Sequence, residues 1–221
     1  MPATIAPMAQ EIRAAASMIV ARGEAGREPL VLVLRRSEAS RFLPGYVVFP
    51  GGAVESDDAG LAARLFGTAG EGSRAAGVRE LAEEAGLALT ASGVRPATAD
   101  DPLAPALAAP PLVGQLPQIA HWVAPPEVPV RFDARYFAVA SGAVEPTVDG
   151  REATAAWWAA PGELLAAWEA GEQKLYWPTY YTLTALARCR DVAAILGLRM
   201  STREPADAEL RALPSSVFGG A

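Results

Sequence analysis

Cysteine, histidine and lysine each occur once in the 221 residues, as Cys189, His121 and Lys174. A single cysteine excludes an intrachain disulfide, and its simplest setting is the reducing cytoplasm; it reads as a helix-borne core thiol. Lys174 has no glycine-rich loop before it and no Gly-x-Ser-x-Gly occurs, so P-loop and serine-hydrolase readings fall. His121 precedes Trp122 on an expected strand and reads as a packed or edge residue rather than a catalyst. Positive charge is also in short supply: nineteen Lys and Arg against twenty-five Asp and Glu leave a net charge of −6. That balance argues against gripping a nucleic-acid backbone, although a compact anion could still be held through metal ions. Residues 102–126 carry no charge but seven prolines, too many lost donors for a membrane-spanning helix. The first twenty residues contain Glu11 and no basic stretch ahead of an apolar run, so no secretory signal is expected.

What is present suits a globular chain. With 51% hydrophobic and 20% charged residues it can bury a sizeable core, and its length favours one elaborated domain over 1–221. Met18 to Val20, Leu30 to Leu34, Tyr46 to Phe49, Gln118 to Val123, Arg135 to Ala140 and Ala153 to Trp158 are predicted strands. Helices are predicted over Ser73–Ala85, with Ser73 as N-cap and Gly86 as stop, over Pro161–Ala170, and over Thr179–Leu196 as the longest. Residues 96–130, rich in Pro and Ala, read as an insertion or lid, residues 161–200 as a helical C-terminal part, and the tail after Met200 as loosely held. Strands mixed irregularly with helices imply an α/β or α+β sandwich.

The Ser73–Ala85 helix carries the chemistry. At about 100° per residue, Glu80, Glu83 and Glu84 share one face and Val78, Leu81, Ala82 and Ala85 the other. Like charges at these spacings repel and do not serve the helix, whereas hard divalent cations want clustered oxygens. Alone, such a triplet more often marks a solvated face. Its surroundings are more specific. Arg79-Glu80-Leu81-Ala82-Glu83-Glu84-Ala85-Gly86-Leu87 meets every fixed position in the core of the Nudix box, which it resembles, and Phe49-Pro50-Gly51-Gly52 resembles a common lead-in. One departure stands out: residues 53–70 put eighteen residues where the family pattern has five, an insertion inside the box. Either Glu71, separated from Arg79 by seven residues, or Glu55 takes the box's first-Glu position.

Arg36-Ser37, Arg41, Gly45 and Phe49 to Gly52 follow the spacing of a signature found in coenzyme A diphosphatases of that superfamily. The enlarged box, Arg131 to Phe137 and Pro178-Thr179 look similar to its acyl-CoA-cleaving branch. The resemblance implies a Nudix α/β/α sandwich with a mixed sheet and extra C-terminal helices. It implies a diphosphatase using Mg²⁺ or Mn²⁺ and a small nucleoside diphosphate derivative as partner, with no nucleic acid or membrane. Coenzyme A or an acyl-CoA is the expected substrate, with ADP-ribose or a dinucleotide cofactor, or a non-catalytic nucleotide-sensing module, as alternatives. Metal ligation then falls to Glu80, Glu83, Glu84 and the Gly51 backbone. Arg79 is expected to bridge a loop carboxylate, the general base to be Glu80, Glu83 or Glu152, and Arg36 and Arg41 to clamp substrate phosphates. The substrate pocket is expected within residues 96–150. Gly70-Glu71-Gly72-Ser73-Arg74-Ala75 mimics a dinucleotide-binding loop but lacks the preceding strand and the acidic residue that pattern needs.

Overall fold

The computed structural model describes residues 12–23, 26–124 and 131–201. Its strands β1 (Ile12–Arg22) and β2 (Leu30–Arg36) are apolar on both sides, the pattern of strands covered by helices on both faces. Met18, Val20, Leu32 and Leu34 point into one core; Ile19, Ala21, Val31 and Val33 point into the other. Against the first core pack α1 (Asp58–Phe66) and α2 (Gly72–Ala85), through Leu61, Leu65, Ala75, Val78 and Leu81. Against the second pack α4 (Pro161–Glu169), α5 (Trp177–Leu186) and α6 (Val192–Gly197), through Leu164, Trp177, Leu183, Leu186 and Ile195. The result is the expected α/β/α sandwich.

The sheet is mixed and forked. β1 runs parallel to β8 (Arg131–Ala140), which pairs antiparallel with the edge strand β7 (Gln118–Val123); β2 pairs antiparallel with β9 (Ala153–Ala159). Between β1 and β2 the pairing is short, at Ala21↔Val31 and Arg22↔Leu30. Beyond it the two strands part, and the chain segment after residue 46 fills the gap. β3 (Val47–Val48) pairs with Leu34 and Arg35, while β4 (Gly51–Ala53) pairs with Ala15, Ala16 and Ser17. The single strand expected at Tyr46–Phe49 is thus two short ones: the Pro50 ring offers no N–H to extend a ladder, and its carbonyl instead accepts the Met18 N–H at 2.8 Å. This fork delivers β4 to the flank of α2.

Several boundaries differ from the sequence reading. α2 begins at Gly72 with Glu71 in the N-cap position and no side-chain cap; the Ser73 hydroxyl accepts Arg135 Nη1 at 3.2 Å instead. Gly86 does end the helix, with φ +63°. The helix expected over Thr179–Leu196 is two, broken near 187–191, where the Asp191 carboxylate takes the Ala194 N–H at 2.7 Å and starts α6. Cys189 lies half-buried in that connection and not on a helix. A hairpin of β5 (Leu87–Thr90) and β6 (Gly93–Pro96) follows α2 directly. The supposed lid is built in: β7 is the sheet edge, and α3 (Ala104–Ala108) lies against β5. Residues 125–130 and the tail from 202 lie outside the described residues. Among those described, no helix is long and apolar enough to cross a membrane.

Gly77 marks how closely α2 is seated. A Cβ there would lie 2.8 Å from Met18 Sδ, and Met18 is wholly buried. Propensity alone would make Gly77→Ala stabilising by up to about 1 kcal/mol, but overpacking costs roughly 1–3 kcal/mol. Gly77→Ala is therefore expected to lower the urea unfolding midpoint; a raised midpoint would contradict this packing.

Candidate active site

Arg79 is the hub. Its Nε and Nη2 reach Asp58 Oδ1 and Oδ2, both at 3.0 Å; Nη2 also donates to the Ala53 carbonyl at 3.1 Å, and Nη1 to Glu80 Oε1 at 2.8 Å and Glu83 Oε2 at 3.1 Å. One guanidinium thereby joins α1, α2 and β4. Burial works against its charge, but the Asp58 and Glu80 carboxylates more than offset this and hold its pKa above the ordinary value. Asp58, 1% exposed, also takes the Glu55 N–H at 2.8 Å. Neither residue expected in the first-Glu position meets Arg79: Glu55 is exposed, and the Glu71 side chain pairs with Arg74. The bridging carboxylate is Asp58, inside the inserted segment. Its signal was legible, since Asp57-Asp58 precede the helical spacing Leu61, Ala62, Leu65 as acidic residues do at a helix start.

The three box carboxylates are near one another but unequal. Glu80 and Glu84 are 9% and 8% exposed, while Glu83 is open to solvent. Glu84 Oε2 accepts the Gly51 N–H at 2.9 Å, which brings the Gly51 backbone to the carboxylate face of α2. Both glycines are required by closeness: a Cβ on Gly51 would sit 2.3 Å from the Ala16 carbonyl oxygen, and one on Gly52 2.2 Å from Glu80 Oε1. Burial pushes Glu84 up to about 8, against the Gly51 N–H that favours its anion. Burial likewise raises Glu80, with Arg79 opposing. Among the described residues no three His, Cys, Asp or Glu side chains converge on one point; Arg79 and Gly51 engage one oxygen of each box carboxylate. The second oxygens and the all-carboxylate chemistry fit a hard divalent cation.

The remaining expected residues separate. Glu152, exposed on the loop before β9, lies near enough that its charge raises both Glu80 and Glu84, and its carbonyl accepts the Ser37 N–H at 2.8 Å. Arg36 turns Nε to the Phe42 carbonyl at 3.0 Å and Nη2 to Ser40 Oγ at 2.8 Å, bracing its own loop. Arg41 is exposed. A cavity of about 270 Å³ opens on the other side of β4, lined by Gly51 to Ala53, by Phe42 and Leu43, and by rings from Phe132, Tyr136, Tyr176 and Trp177. The pocket expected within 96–150 thus draws only its β7–β8 wall from there, since strands and α5 converge on it from distant sequence. His121 pairs with Asp133 across β7 and β8, outside this lining.

A family model for the NUDIX domain matches residues 11–177. The chain belongs to the Nudix family. A NUDIX hydrolase from Alicyclobacillus acidocaldarius shares 32% identity and superposes with a TM-score of 0.73, over 87% of this chain and 99% of that one. A protein from Deinococcus radiodurans, 17% identical with a TM-score of 0.51, covers 84% of this chain and 91% of its own, and shows the fold alone. "Putative nudix hydrolase 7" of Caenorhabditis elegans is 31% identical over 195 residues, which are 81% of this chain; the match spans 62% of that relative's length. Nudix hydrolases act on diphosphate bonds and in general need a divalent metal ion.

Two outcomes follow for this Nudix site. Asp58→Asn strands a charged Arg79, and losing one partner of a buried pair costs roughly 3–5 kcal/mol; Glu71→Ala, which breaks only a local ion pair, should cost about 1 kcal/mol or less. Comparable losses in urea unfolding would contradict the assignment. The second concerns pH in chelator. Because the folded pKa of Glu84 lies above its unfolded value, the folded state binds the proton more tightly. Stability is then full below about pH 4 and is lost as pH rises towards 8. Glu84→Gln should remove that loss, gaining on the parent by a few kcal/mol, on the order of the shift, between pH 5 and 8; a pH-independent difference would contradict it.

Proposed function

We propose that the chain hydrolyses the diphosphate of coenzyme A or an acyl-CoA, giving 3′,5′-ADP and a phosphopantetheine product, with Mg²⁺ or Mn²⁺ as cofactor. The observation that carries this reading is the position of β4. Its backbone touches Glu84 and Arg79 on one side and lines the cavity on the other, so a substrate arm in the cavity would bring its diphosphate to the carboxylates. Hydrolysis joins the oxygen of a water to one phosphorus and breaks that phosphorus's bond to the bridging oxygen, while a base takes the water's proton. Glu80, Glu83 and Glu152 remain candidates for that base. Glu152 is exposed and within electrostatic reach of the pair. Glu80, Glu83, Glu84 and the Gly51 backbone would hold a hard divalent cation, which would supply positive charge to neutralise the diphosphate oxygens and acidify the water. Arg79 fixes two of those carboxylates from behind, and Gly51 fixes the third.

Arg41, exposed immediately before the two loop residues that line the cavity, suits an anionic group that stays in solvent, such as the 3′-phosphate of coenzyme A. Arg36 gives Nε and Nη2 to its own loop, while its charge reaches Glu84 beside the position proposed for the diphosphate.

Turnover should stop in excess chelator, and Glu84→Gln should nearly abolish it in a folded protein, since an amide binds a hard cation poorly. Arg41→Ala should raise KM for coenzyme A by roughly tenfold, as losing a charge-assisted contact of about 1.5 kcal/mol implies, with little effect on dephospho-coenzyme A. Steady-state kcat/KM for coenzyme A, dephospho-coenzyme A and ADP-ribose reads all of this. ADP-ribose preferred by parent and variant alike would move the reading to ADP-ribose or a dinucleotide; no turnover of any, with metal bound, would move it to nucleotide sensing.

A further inference from the structure

The loop between β2 and β3 is closed by its own bonds and presents a fixed wall to the cavity. Arg36 holds Phe42 and Ser40, Ser40 Oγ also donates to the Phe42 carbonyl at 3.1 Å, and the Ser40 and Tyr46 N–H groups close on Ser37 and Leu43 at 3.0 and 3.3 Å. Gly45, φ +72°, passes so near Glu38 that a Cβ would lie 2.2 Å from Oε1. Among the described residues Leu43 is the one non-glycine with positive φ, +52°. A leucine is held in that conformation only where its surroundings determine it, and such positions gather at ligand clamps. The bonds of this loop make Phe42 and Leu43 its contribution to the cavity.

The cavity's chemistry says what that wall selects. Arg36 is the one charged residue on the described lining, and its Nε and Nη2 are held by its own loop. No Asp, Glu, Asn or Gln is on the described lining to read the edge of a nucleobase. The rings meet each other edge-on or tilted, Phe42 with Tyr176 at 81° and with Phe132 at 60°, Phe49 with Tyr136 at 86°, so the wall is an irregular apolar surface. A flexible hydrocarbon chain asks for neither stacking nor hydrogen bonds and gains by leaving water.

We infer that this cavity takes an uncharged, flexible apolar arm of the diphosphate substrate, with Phe42 and Leu43 as specificity-determining residues and Arg36 as the positioning residue that braces them. The inference rests on the reading that the site acts on such diphosphates. The test measures binding by calorimetry in chelator, where no metal-dependent turnover intervenes, using octanoyl-coenzyme A, coenzyme A and ADP-ribose. The parent is expected to hold the octanoyl form about tenfold or more above coenzyme A, as burial of a few methylenes gives. Phe42→Ala should reduce that ratio to below about threefold, and Phe42→Leu should retain most of it. Arg36→Lys, which keeps the charge and loses the fork to Ser40 and Phe42, should reduce the ratio as Phe42→Ala does. Equal binding of the octanoyl and free forms, tight or weak, overturns the inference, as does a ratio unmoved by Phe42→Ala or ADP-ribose binding tightest of the three. An Arg36→Lys protein that weakens every ligand alike while the ratio stands overturns the role given to Arg36. Turnover with metal is scored separately: a protein that shows the octanoyl preference yet cleaves nothing retains the pocket and loses the hydrolase reading.

Discussion

The forked pair between Arg79 and Asp58 holds three elements together at one point. Two parallel hydrogen bonds at 3.0 Å join α2 to α1, and the same guanidinium reaches the Ala53 carbonyl on β4. Burying two charges is costly unless the geometry is good and the remaining donors are satisfied; here every nitrogen of Arg79 has an acceptor. Asp58 also sits in the first turn of α1, where the helix dipole favours a carboxylate. The inserted residues 53–70 are thus no ornament on the box, because they supply the anchor that orients Glu80 and Glu83.

The fork of the sheet does the complementary work on the other side. Once β1 and β2 part, β4 is so closely seated that a side chain is excluded at Gly51 by β1 and at Gly52 by Glu80 of α2, and the Gly51 backbone contacts Glu84. Two carboxylates are thereby buried against a strand, which raises both towards their neutral forms. That cost to the metal-free protein is the counterpart of affinity for a cation, since a bound positive charge would relieve it.

Local patterns in the sequence carried much of this. Short apolar runs marked most of β2 but only Met18 to Val20 of β1, helical spacing with a terminal glycine marked α2, and the Arg-Glu…Glu-Glu spacing set its carboxylate face. Tertiary context decided what the pattern left open. Which acid met Arg79 depended on how the inserted segment folded, and Asp58 won over Glu55 and Glu71 because α1 turns it inward. The spacing put Arg36 near the site, and the structure adds what the spacing could not show, that its Nε and Nη2 also brace its own loop. The cavity was illegible because its rings come from residues 42 to 177 and meet only in three dimensions.

We propose that Asp58, through Arg79, presets the carboxylates for a cation. Calorimetric titration of Mn²⁺ into the parent and Asp58→Asn, at a temperature where both are folded, tests it most directly. Loss of a partner behind the ligands is predicted to weaken affinity by about 10–100-fold. Equal affinity in the two folded proteins would contradict it.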